Sequence, residues 1–503
     1  MVGDSDSRDP QDFAARLLRM NQPPLLHPAS RFPRGLRVAG WICLGILAAA
    51  FAWHLAWRAG NAQAQSRCES EIRQRGHPLT LEELAARHPP IPAERNAAEA
   101  LMDVWERDNP ALWRAFRTGA ERLPERNTTE WDPALPFLGA KKTEPRRTAA
   151  LDPESRRAAD TFVRNQASRL TRLQASLARP DCRFPVIITN GFAALLPHLS
   201  AAKQEALRLR VMSAVATDEG RVDEAITAMN VTTQLARHLT REPFLISQLV
   251  CVALMQGVLD DVSRLLSRQT LTASDLTALE AVIRRTELSG ALEASLFSEI
   301  PAGMSVFSMS SRRVAKIFLE GGEGYSESGW KTAVLVLDVT GGTSADRRLY
   351  LETMVKLSSL ATNASPTAIE EFQRVVDRAA TEARRFPPRL LSTLLLPALG
   401  KVPQKFLAIE ARRRAAMVAL AIERHRLAHG GQIPGSLGTV SAEFLPAIPT
   451  DPFDGQPLRY RTLGHGYVVY SVGQGLQDNN GKERSKTPKD KSVDDDETFF
   501  VER

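Results

Sequence analysis

The polar and apolar positions of this chain follow a helical period through most of its length. From Val38 to Trp57 there is one uninterrupted run, VAGWICLGILAAAFAWHLAW, without Asp, Glu, Lys or Arg. As a helix it would be ~30 Å long, the thickness of a bilayer core. Trp41 stands near one end, and Trp53 and Trp57 near the other, where interfacial aromatics belong. The run predicts a transmembrane anchor. A cleaved signal peptide is the rival, since Ala62-Gln63-Ala64 has the small-x-small form, but the apolar run is long for one. Arg31, Arg34 and Arg37 crowd the N-terminal flank, which places that end in the cytoplasm.

Beyond the anchor, TLEE (80–83) forms a capping box and NAAE (96–99) imitates one with Asn as the cap. The stretch 140–157 is polar and proline-marked and predicts a loop, with helical periodicity returning at 157–179. Two amphipathic helices flank Gly220 over 205–239. A long buried helix is expected at 244–266, another at 271–286 capped by Thr272 or Ser274, and further helices at 346–362 and 366–384. The glycine-rich stretch 321–345 reads as a loop around a short apolar strand or helix, and LLSTLLLPAL (390–399) is too short to span a bilayer. Residues 403–429 predict one long helix. Its apolar stretch AAMVALAI (415–422) has no polar side and should be covered all round.

The tail changes character. FLPAIPTDPFDGQPLRYRTLGHGYVVYSVG (444–473) holds a proline-marked turn and two alternating runs, and TFFVE (498–502) supplies a third strand. Three antiparallel strands need a covered face, for which the 403–429 helix is available. The predicted fold class is therefore mainly α: a single transmembrane helix, a multi-helical body and a small α+β unit of one helix with a three-stranded antiparallel sheet. The expected division is a cytoplasmic tail (1–34), an anchor (35–58), a helical body (59–400) and the α+β unit (401–503).

Two resemblances accompany this reading. The segment 415–502, through AIERHRLAHGGQIPGSLGTV, LPAIPTDPFDGQPLRYR, GYVVYSVG and DDDE, resembles the C-terminal part of the major pseudopilin of type II secretion systems. It covers under a fifth of the chain and lacks the pseudopilin cleavage site with its adjacent hydrophobic helix. Arg412 to Arg414 stand where the membrane half of a pilin helix would be, so the chain is not a standard filament subunit. In that family a calcium ion can sit in the loop before the last strand. The resemblance carries this to Asp478, Asp494, Asp495 and Asp496, although here a basic insertion (482–491) stands beside those acids. The hairpin at 205–239 resembles a single tetratricopeptide repeat, with Ala214, Ala216 and Ala225 as its small contact residues.

Composition narrows function without naming it. The 503 residues are 43% hydrophobic and 24% charged, with net charge +7. The arginines are spread along the chain, which predicts solvated helix faces and no nucleic acid partner. Cys43, Cys68, Cys182 and Cys251 include no CxxC pair, which removes zinc-ribbon and thioredoxin motifs; Cys68 and Cys182 could pair in an oxidising compartment. His425 and His429 have metal spacing but no third ligand. GYSESG (324–329) lacks the glycines of a nucleophile elbow. Asp260-Asp261 and Glu370-Glu371 diverge by about 100° per residue on a helix and read as solvated faces. No catalytic or cofactor-binding residue is predicted.

The expectation is a single-pass protein of the inner (cytoplasmic) membrane, most of it extracytoplasmic. It would touch lipid through its anchor and bind or assemble with an envelope protein partner, with a possible link to secretion. The alternative is a membrane-tethered enzyme whose site is scattered over the helical body. A reversed topology would leave the body in the cytoplasm.

Overall fold

A computed structural model describes residues 34–124, 130–141, 144–288, 290–309, 342–362, 365–385, 389–440, 442–483 and 495–503. Of the stretch 321–345 expected as a loop, 321–341 with the GYSESG motif lies outside the described residues, as do Asp494 and most of the basic insertion, while 342–345 are helical, in a helix that starts at Gly342. The chain divides into two compact units, 1–60 and 61–503.

Helix α1 spans Arg34–Gln74 without interruption. The helix from Val38 is long and apolar enough to cross a membrane, and no residue of its apolar stretch 38–57 is buried. Trp41 is 73% exposed, Leu47 66% and Trp53 75%. Such contiguous exposure of large apolar side chains is rare on a surface that meets only water.

Within 61–503 the helices in chain order are α2 (Leu81–Ala86), α3 (Ala97–Glu106), α4 (Pro110–Arg117), α5 (Pro153–Arg164), α6 (Ala167–Leu177), α7 (Pro197–Asp218) and α8 (Val222–Leu239). They continue with α9 (Leu245–Arg268), α10 (Ala273–Arg284), α11 (Ala291–Phe307), α12 (Gly342–Thr362), α13 (Pro366–Ala383), α14 (Leu390–Leu395) and α15 (Val402–Ala428). The starts are fixed by local chemistry. The side chains of Thr80, Asn96 and Thr272 each accept a backbone N–H of the first turn, and Thr272 with Asp275 closes a full capping box. Helices α7 and α8 form the expected hairpin, turned by Gly220 at φ +71°.

The body has one large core built around α9. This helix also has the apolarity of a membrane span, yet 72% of that stretch is buried, so it is a core helix. Cys251, Met255, Leu259, Val262 and Leu266 on it are fully enclosed. The apolar middle of α15 is covered all round as its sequence requires: Ala415, Val418, Leu420 and Ile422 have no exposed surface.

The tail forms one antiparallel sheet in the order β1 (Arg459–Leu463), β2 (Gly466–Ser471), β3 (Glu497–Glu502). Tyr460 pairs with Val469 in the first ladder and Val468 with Phe500 in the second. One face packs on α15, where the buried Tyr467 hydroxyl donates to Ala419 O at 3.1 Å and Glu423 Oε1 at 3.0 Å. The outer edge of β3 lies against α9. Ser263 donates to Phe500 O at 2.6 Å, and Ser267, one turn later, accepts from Glu502 N at 3.1 Å. Two serines thus occupy backbone groups that an open edge would leave for a foreign strand.

The proline-marked turn has a single organising group. Asp451, almost wholly buried, accepts from Phe453 N at 2.9 Å, Ser471 Oγ at 2.8 Å, Val472 N at 3.0 Å and Arg459 Nη1 at 2.9 Å. That is near the full acceptor capacity of a carboxylate. The DPFDG sequence is therefore a structural pin between the turn and β2.

Candidate functional site: a charged cleft between the body and the tail

A cleft of about 410 Å³ opens where α7, α9 and α15 meet Phe137, the segment 144–147 and strand β3. Its walls are charged. Arg147, Arg210, Arg264 and Arg412 face Asp260, Asp261, Glu483 and Asp496.

Each arginine is held in place by acids or carbonyls. Arg210 Nε lies 3.1 Å from Asp261 Oδ1, and its guanidinium stacks over Phe137 at 4.1 Å. Gly257 makes room for it: a Cβ there would sit 3.2 Å from Arg210 Cδ. Arg412 Nη2 reaches Asp260 Oδ1 at 2.6 Å. Arg147 binds Glu502 at 2.7 Å and Glu483 at 3.0 Å, over the Phe500 ring at 4.6 Å. Arg264 bridges Asp218 at 2.5 Å and Ala149 O at 2.9 Å.

Asp261 is a strongly perturbed group of the cleft. Burial pushes its carboxyl up to about 6, against the opposing pull of Arg210, while neighbouring Asp260 adds to the rise. A carboxyl that changes protonation near neutrality in a polar cleft can bind a basic group or pass a proton. This corrects the reading of Asp260-Asp261 as a solvated pair. They do diverge on α9, but Arg210 crosses from α7 to Asp261 at 3.1 Å and to Asp260 at 3.8 Å, and both line one cleft. Glu370 and Glu371, by contrast, sit in exposed pairs with Arg374.

Of the residues to which the resemblance carries calcium, Asp496 is buried and lines this cleft. It accepts from Gly481 N at 2.8 Å and Asn479 N at 3.3 Å, which folds the 478–481 turn. Burial raises its carboxyl pKa, opposed by those N–H groups. Asp478 Oδ1 accepts from Asn480 N at 2.8 Å, and its other oxygen lies 3.7 Å from Arg459 Nε. Asp495 is half-buried. Among the described residues no group of three acidic, His or Cys side chains is arranged to hold a metal. A calcium ion here would draw on main-chain carbonyls and on Asp494, outside the described residues.

Neither Cys68 nor Cys182 is bonded; Cys182 is buried and Cys68 half-buried. The rings of His425 and His429 stack at 3.9 Å. His429 Nδ1 is 2.8 Å from His425 O, as at an ordinary helix end. Compared with protein-family models, curated proteins and solved structures, the chain matches none.

Proposed function

We propose that the chain is a single-pass protein of the cytoplasmic membrane whose helical body and α+β tail are extracytoplasmic, where they bind or assemble with an envelope protein. The observation that carries this reading is the apolar stretch 38–57 of α1, no residue of which is buried by protein. Lipid is the solvent that suits it. The pseudopilin-like order of tail motifs supports an assembly role linked to secretion, an inference by analogy of fold. The ion-paired arginines of the cleft do not form the open basic stripe that nucleic acid requires. Fusions of alkaline phosphatase and of a fluorescent protein to the C-terminus test the placement. The phosphatase should be active and the fluorescent protein dark; the reverse pattern puts the body in the cytoplasm and overturns it.

A second reading, a membrane-tethered enzyme, is favoured by Asp261 in its cleft. A defined turnover by the purified chain that disappears in Asp261→Asn would establish it in place of the assembly role. Calcium at Asp478, Asp494, Asp495 and Asp496 is also proposed from the resemblance. Melting of the full chain with calcium and with chelator should give a higher midpoint with the ion, and identical midpoints would remove calcium.

A further inference from the structure

A second hollow, of about 240 Å³, lies between the loop after α2, the segment 181–188 and the start of α9. That is room for several water-sized groups. Its wall is hydrocarbon, formed by Ile91, Phe184, Val186, Ile188 and Phe244. Ile187, between the lining residues Val186 and Ile188, is 43% exposed.

Two arginines lining this hollow lack an acidic partner. Arg87 and Arg183 have no carboxylate within salt-bridge distance among the described residues, whereas Arg241 and Arg95 share Asp181. Nη1 of Arg183 is buried without a hydrogen-bond partner. A buried guanidinium N–H left unpaired is costly, and a carboxylate is its best-matched acceptor. Of the acids of the lining, Asp181 is held by Arg95 and Arg241. Glu242 lies 2.7 Å from His198 Nε2 and accepts from Ser247 at 2.5 Å. The lining therefore carries surplus positive charge above an apolar floor.

We propose that this hollow binds a small aliphatic carboxylate of about six to ten carbons, its chain on Phe184, Val186 and Phe244 and its carboxylate on Arg183 and Arg87. The unpaired guanidinium selects the acid over a neutral alcohol. The apolar wall selects a hydrocarbon body over a polar one. The inference is independent of the membrane placement and of the assembly role.

The test is a titration of carboxyl-¹³C-labelled octanoate into the full chain in lipid nanodiscs, read by ¹³C NMR against empty nanodiscs. A saturable bound signal is expected, weakened about tenfold in Arg183→Gln, and 1-octanol should compete poorly. A signal equal to that of empty nanodiscs, equal binding by Arg183→Gln, or competition by octanol as strong as by unlabelled octanoate would each overturn the proposal. So would tighter binding of a pentapeptide ending in leucine, which would make the hollow a peptide site. Should Arg183→Gln lose its near-ultraviolet circular dichroism, Arg87→Gln and the hollow-filling Val186→Trp take its place. Both must bind octanoate more weakly, and wild-type affinity in either would equally overturn the proposal.

Discussion

Replacing Asp261 with Asn isolates the electrostatics of the charged cleft. The ordinary aspartate value is ~3.9, and burial in the fold raises it to about 6. At 1.36 kcal/mol per unit, that difference of roughly two units corresponds to about 3 kcal/mol. The sign follows from which state binds the proton. Between pH ~4 and ~6 the native carboxyl keeps a proton that the unfolded chain has lost. Its contribution to stability is therefore largest below pH ~4. It falls by about 3 kcal/mol as pH rises to ~6, and is flat above that. Asn has nearly the same shape and cannot ionise. The stability of Asp261→Asn relative to wild type should thus climb by about 3 kcal/mol from pH 4 to pH 6.5. Carboxylates that do not interact with Asp261 titrate alike in both proteins and cancel. Urea unfolding of the full chain in maltoside micelles, followed by near-ultraviolet circular dichroism across this range, measures the difference. Parallel pH profiles for the two proteins would show that Asp261 ionises normally and would refute the burial argument.

Three other outcomes follow from the same physics. Asp451→Ala strips a buried carboxylate from four donors, one of them Arg459, and should cost about 3–5 kcal/mol; wild-type stability in denaturant would contradict its role as the pin of the turn. Ser263→Ala combined with Ser267→Ala should cost about 1–3 kcal/mol per lost hydrogen bond and accelerate amide exchange at Glu502, whose N–H donates to Ser267; unchanged protection there would mean the edge is held otherwise. In a variant retaining Cys43 as its sole cysteine, a membrane-impermeant maleimide should label that thiol only after detergent is added, since the side chain is exposed from protein and must be shielded by lipid; labelling in intact membranes would argue against burial in a bilayer.

How far the sequence could be read depended on the range over which its signals act. Local signals were legible. The caps at Thr80, Asn96 and Thr272, the apolar run of α15 and the three strands are each decided within a few residues, and the structure has them all. Helix α11 is not legible in the sequence because Pro301 interrupts its pattern. The fold tolerates it in a buried position, where Tyr350 donates to Glu299 O at 3.0 Å. The predicted helix at 157–179 is in fact two, α5 and α6, with a break at Asn165-Gln166. The cleft was not legible. Arg147, Arg210, Asp261, Arg412 and Phe500 come from five distant segments and meet only through packing. Asp260 and Asp261 alone offered a local hint, and helix geometry pointed away from it. The edge contact of β3 with α9 was likewise hidden, because Ser263 and Ser267 resemble any polar residues on a helix.

The account depends above all on the apolar stretch of α1 residing in lipid. Alkaline extraction of membranes from cells expressing the full chain, followed by sedimentation, tests this most directly. The intact chain should remain with the bilayer pellet. Recovery of the protein in the soluble fraction, beginning beyond Trp57, would contradict the anchor and the placement built on it.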